Sequence, residues 1–149
     1  MDSIKPKVDA STKSVAFSVR LASSHDNRGV GLALGHHQTV VFDSVITNVG
    51  NGYNPHDGIF ITPYSGTYSF FLEVMGTNAH DSVELAIVKN GNVLDVVHAK
   101  GTMDIYDQGS SQVTTHLTAG DHVWVRQHRG EAIRASYWTI FTGYLLHAD

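Results

Sequence analysis

The sequence predicts an all-β fold, a sandwich of two antiparallel sheets, and three observations point there. Turn residues interrupt the 149-residue chain roughly every ten positions, the spacing of many short strands. After Gly66, residues Tyr68, Phe70, Leu72 and Val74 recur at every second position, which is the period of a strand with one buried face. No helical period lasts two turns, and eleven Asp against three Glu place the acidic residues in turns rather than helices.

Taken in chain order, residues 1–14 are polar, carry Pro6 and read as an arm, leaving 15–149 as one domain. "VAFSVRL" turns Val15, Phe17, Val19 and Leu21 to one face and Ala16, Ser18 and Arg20 to the other, a half-buried strand. "TVVFDSVITNVG" (39–50) is a second strand with a less regular alternation. "SVELAIVKNGNVLDVVHAKG" flanks Asn90-Gly91 with two β-rich runs, and that pair tolerates the positive φ angles of a tight hairpin turn. "SSQVTTHLTAGDHVWVRQH" repeats the plan around Ala119-Gly120-Asp121 and predicts a second hairpin. "ASYWTIFTGYLLH" closes the chain as a strand with Gly143 inside it.

Composition narrows the function classes. A chain that is 42% hydrophobic and 16% charged is long enough to bury a single core and is not a disordered tail. No run of about 18 apolar residues is present, so membrane insertion is not expected. A net charge of −4 provides no basic field for nucleic acid. The absence of cysteine removes disulfides, thiolate metal sites and cysteine nucleophiles, and leaves the compartment open. The N-terminus "MDSIKPKVDASTKS" lacks an apolar signal core; a mature secreted form with an added Met is the expectation.

Phe42, Asn48, Tyr53, Phe60, Gly66, Tyr68, Phe70 and Leu72 form a spaced set that resembles the signature of the C1q globular-domain family, related in fold to tumour necrosis factor. "VAFSVRL", "VKNG", "GDHVWV" and "FTGYLL" are similar to that family's first strand, central hairpin, penultimate strand and closing strand. Leu72 departs from it, standing where the family usually has an aromatic. The resemblance covers about residues 15–147 and implies a ten-stranded jelly roll assembled as a homotrimer, mainly extracellular and acting by binding rather than catalysis. The sequence contains no Gly-X-Y repeat, so a stalkless form is the expectation, similar to the stalkless molluscan members, several of them innate-immune lectins, including sialic-acid-specific ones.

The most uneven stretch is "RQHRGEAIRASYW", with three of the five arginines in a net acidic chain. A strand through 122–128 puts His122, Trp124, Arg126 and His128 on one face and Val123 and Val125 in the core. A guanidinium fork matches a carboxylate and an aromatic ring matches the apolar face of a sugar. Arg126, His128, Arg129, Arg134, Tyr137 and Trp138, with Tyr53 and Asn54 from a loop, are therefore the candidate carbohydrate-binding residues. A plainer reading pairs the arginines with Glu131 or nearby Asp, or places the aromatics in a subunit seam.

Ten histidines invite metal or acid-sensing readings, with His36, His37, His56 and His80 in loop-like segments, but none has zinc-motif spacing, and scattered surface or satisfied histidines are the preferred reading. Asp104 and Asp107 are weak calcium candidates beside hydroxyls and amides; turn chemistry accounts for such Asp as well. "GVGLALG" has the wrong spacing for a dinucleotide loop, and no G-x-S-x-G elbow is present. Two functions follow: a secreted, non-enzymatic lectin for sialylated or other acidic glycans, multivalent through trimerisation, or a cytokine-like ligand engaging a protein receptor through trimer grooves.

Overall fold

The computed structural model describes residues 13–29, 31–77, 82–100 and 107–149. The arm expected over 1–14 lies outside these except for its last two residues. In chain order the strands are β1 (Ala16–Leu21), β2 (Leu32–Ala33), β3 (Ser44–Val49), β4 (Tyr53–Asn54), β5 (Ile59–Ile61) and β6 (Gly66–Met75). They continue with β7 (Ser82–Lys89), β8 (Asn92–Lys100), β9 (Gln108–Leu117), β10 (His122–Arg129), β11 (Ala132–Ile133) and β12 (Ser136–Ala148). A 3-10 helix over Ser23–Gly29 links β1 to β2.

Two five-stranded antiparallel sheets form the layers, in the orders β3-β1-β12-β6-β9 and β4-β5-β10-β7-β8, and a small ribbon pairs β11 with β2. The ten strands of the two layers make the sandwich that the alternation predicts and the ten-stranded jelly roll that the resemblance implies. Residues expected to face inward do so: Val15, Phe17, Val19 and Leu21 from the first strand, and Tyr68, Phe70, Leu72 and Val74 from β6, are all buried. Phe17 stands at the centre, 5.0 Å from Phe60 and from Phe141 and 5.3 Å from Tyr53.

Gly143 lies opposite Phe17 and Phe70 in the pairing of β12 with β1 and β6. A Cβ there would sit 2.5 Å from a Phe17 ring carbon and 2.7 Å from one of Phe70, so the glycine is what lets both rings close over the strand.

The Asn90-Gly91 hairpin forms as expected between β7 and β8, with φ of 49° and 90°. The hairpin expected around Ala119-Gly120-Asp121 does not. β9 pairs with β6 in the first sheet and β10 pairs with β5 and β7 in the second, so this tight turn carries the chain from one layer to the other. A turn reverses the chain in either case, and only the competing strand partners decide whether its flanks bond to one another. In "TVVFDSVITNVG", only Ser44–Val49 is strand, and Val40 and Phe42 are buried outside any strand.

Candidate functional site

β10 runs through the second sheet with β7 along one edge, and β5 covers the start of its other edge. Further along that edge the 38–40 segment takes over: Val40 N–H donates to Val125 O (2.8 Å), Gln127 N–H donates to Gln38 O (2.9 Å), and Thr39 bridges Arg126. Val123 and Val125 point into the core, and His122, Trp124, Arg126 and His128 line the outer face. Ala86 and Val88, which pair with Arg126 and Trp124 on that face, are 0% exposed, so the larger side chains of the sheet cover them.

Arg126 is half-buried, and its Nε is a buried donor with no hydrogen-bond partner among the described residues. Gln127 is turned inward, donating to Gly130 O (2.8 Å) and accepting the His37 N–H (3.0 Å), and so holds the neighbouring turn in place. Arg129 is exposed, with Nε 3.7 Å from Glu84 Oε1, and Glu84 also accepts from His98 Nδ1 at 3.0 Å. Arg129 therefore has a carboxylate for company, whereas no hydrogen bond or ion pair commits Arg126 among the described residues. Beside Arg129 lies an open hollow of about 340 Å³ bordered by Ser82, Gly130 and Glu131.

The other sequence-selected residues part company with this face. Arg134 makes a two-pronged pair with Asp26, Nε to Oδ1 at 2.8 Å and Nη2 to Oδ2 at 2.7 Å, so its fork is occupied within the fold. That guanidinium, aided by the Ala135 N–H, holds the Asp26 carboxyl below its ordinary value against the opposing effect of burial. Tyr53, expected at the surface, is 2% exposed, and its phenol donates to Phe42 O at 2.8 Å. Burial pushes that phenol well above the usual tyrosine range. The correction has a simple cause: the ring fills the core beside Phe17, and its hydroxyl satisfies a carbonyl that would otherwise be orphaned. Asn54 ends β4 and is exposed, its side chain accepting from the His56 N–H and donating to Asp57 in the turn that follows.

Tyr137 and Trp138 begin β12 in the other sheet and are 71% and 40% exposed. The Arg20 guanidinium lies 5.1 Å from the Tyr137 ring centroid. Sequence reasoning misses that partnership, since outward alternation along β1 marks Arg20 as exposed but nothing local connects it with Tyr137. His36 and His37, singled out only as loop histidines, stack with ring centroids 4.0 Å apart beside β10.

Of the calcium candidates, Asp104 lies outside the described residues, and Asp107 spends one carboxylate oxygen on the Lys100 N–H (3.0 Å). Among the described residues, no three His, Asp or Glu side chains gather as a metal site. His80 is also outside them. No helix among the described residues is long and apolar enough to cross a membrane.

Residues 16–146 match the family model described as the C1q domain. The chain is 30% identical over 134 residues to complement C1q tumor necrosis factor-related protein 3 of Mus musculus, covering 89% of this chain and 51% of that protein. The Homo sapiens protein of the same name is 29% identical over the same coverage. Caprin-2 of Danio rerio is 30% identical over 114 residues, 75% of this chain and 12% of that protein. The chain thus spans about half the length of the first of these relatives and a small part of the last. Among solved structures, the globular domain of zebrafish complement 1qA protein superimposes with a TM-score of 0.73 at 17% identity, covering 91% of this chain and 99% of that one. Murine APRIL at pH 5.0 gives 0.69 at 16% identity, covering 90% and 100%. At those identities the likeness is one of fold.

Proposed function

The chain belongs to the C1q domain family, and from that premise we propose that it is a secreted recognition module that binds acidic glycans, sialic acid among them, as a homotrimer. The observation that carries the reading is Arg126, a half-buried guanidinium with an unpartnered Nε, flanked on its strand by Trp124 and His128. A carboxylate-bearing sugar supplies the acceptor for the fork and an apolar ring face for the indole. Arg129, a step further along β10, widens the positive surface, and Tyr137 with Trp138 offers a separate aromatic platform. Arg134 and Tyr53 contribute to the fold instead.

Trimerisation is supported by the outer face of the first sheet, where Tyr144 and Leu146 are 42% and 60% exposed beside the half-buried Phe71. Identical sites on three copies raise avidity by about 10² or more where ligand spacing permits. Binding, with no chemical step, is the proposed activity.

The test is a glycan array read beside an Arg126→Gln variant, with and without a chelator for calcium. The expected result is retention on sialylated and other acidic glycans that drops at least tenfold in the variant. Binding that ignores acidic sugars removes the sialic-acid reading. A second reading, a ligand for a protein receptor, draws on Val45, Ile46 and Val49, which are exposed along the edge strand β3. It predicts binding that free sugars do not compete.

A further inference from the structure

We propose that His36, His37 and His128 join Arg126 to form an oxyanion site that tightens in mild acid. The inference rests on the acidic-ligand reading above in sharing Arg126, and adds to it the regulation of that site by proton uptake. The 38–40 segment runs beside β10 through the Thr39–Arg126 bridge, and the His37 N–H bonds Gln127 Oε1, which places His37 next to the part of β10 that carries Arg126 and His128. The turn before it is held by Gly35 N–H donating to Gln38 Oε1 (2.8 Å) and His37 N–H donating to Gln127 Oε1 (3.0 Å), and His37 adopts a φ of 52°. The stacked His36 and His37 rings, 20° from parallel, are thereby held beside β10.

The charges around this cluster are one-sided. Partial desolvation first, and then His36, Arg126 and His128, all cationic when protonated, hold His37 below the ordinary histidine value. Two carboxylates of the packed elements have other partners. Glu84 on β7 meets Arg129 and His98. Asp57, in the turn with His56 that packs on residues 39–41, accepts from Asn54 and from Ile59 N–H. Glu131 reaches Leu34 through its backbone carbonyl and borders the hollow beside Arg129.

Arg126 supplies a permanent charge to this cluster, since a guanidinium is not deprotonated in proteins. Like charges a few ångströms apart resist further protonation, and an oxyanion lying over them relieves that repulsion, so anion binding and proton uptake favour one another. The coupling is reciprocal: each proton taken up on binding strengthens affinity by up to about tenfold per pH unit in the window where the histidines titrate.

The experiment measures binding of inorganic sulfate and of sialyllactose at pH 7.5 and 5.5 and constant ionic strength, with lactose as the uncharged control. Histidine ring resonances are followed by NMR in parallel. The expected result is affinity for both anions about tenfold or more greater at pH 5.5, no change for lactose, and raised titration midpoints for His36, His37 and His128 when sulfate is bound. In a His36→Gln, His37→Gln double variant the ratio of affinities at the two pH values falls to within about threefold. Because that variant could fold poorly, the midpoints in the unaltered chain stand as an independent readout. No anion binding at pH 5.5, or midpoints raised only at other histidines, overturns the proposal. Sialyllactose bound equally at both pH values overturns it and leaves the lectin reading intact. Sulfate that tightens in acid while sialyllactose fails to bind upholds this site and sinks the sialic-acid reading.

Discussion

Arg134 and Asp26, 108 positions apart, meet in a bidentate ion pair that also takes in the Ala135 N–H, and so ties the 3-10 helix after β1 to the segment leading into β12. Both side chains are largely buried, at 14% and 17% exposure. The pair adds a side-chain tie to the β1–β12 ladder that already joins the two ends of the chain. Its cost and benefit depend on both partners remaining, since one left alone is a poorly solvated charge.

The expected consequence is a pH-dependent penalty for Asp26→Asn. Asp26 titrates below its unfolded value because Arg134 binds the ionised form, so the stabilisation is complete above about pH 4 and is lost as pH falls through the folded value. Urea unfolding should show a loss of about 2–4 kcal/mol at pH 7 that narrows below pH 4. A penalty constant from pH 7 to pH 2.5 would contradict this account.

Asn48 grips the backbone of Tyr53 with both ends of its amide, Nδ2 donating to Tyr53 O at 2.8 Å and Oδ1 accepting from Tyr53 N–H at 3.3 Å. With the phenol bonded to Phe42 O, three members of the spaced set lock one corner of the sandwich. Tyr53→Phe should cost about 1–2 kcal/mol by stranding a buried carbonyl, and Asn48→Ala a similar amount. Denaturant midpoints would fall with unchanged slope.

Gly143 and Gly91 separate two reasons for a glycine. Gly143→Ala pushes a methyl into Phe17 and Phe70 and should destabilise by about 1–3 kcal/mol through overpacking. At Gly91 an added Cβ would meet nothing within 4 Å, but φ is +90°, so Gly91→Ala should cost about 1–2 kcal/mol in backbone strain alone. Thermal unfolding of each variant in a Phe17→Leu background distinguishes them: the smaller neighbour should recover part of the Gly143 loss and none of the Gly91 loss.

The alternation of residues 15–21 and 66–75 is legible because a strand's side-chain period is local, and burial follows from it one face at a time. The Asn90-Gly91 turn is legible for the same reason, its positive φ angles being a demand on two adjacent residues. The β9–β10 turn imitates a hairpin because its flanks also alternate, and pairing in a jelly roll is settled by strands far away in sequence.

The candidate site divides along the same line. That Arg126 and His128 share an outward face can be counted along the strand. That Arg134 answers to Asp26, that Tyr53 belongs to the core, and that His37 stands beside Arg126 cannot. Local sequence determined which face each side chain takes, because backbone geometry repeats over two residues. The tertiary structure alone decided which charges find partners, because ion pairs and stacked rings form between elements that only the packing of two sheets brings within a few ångströms.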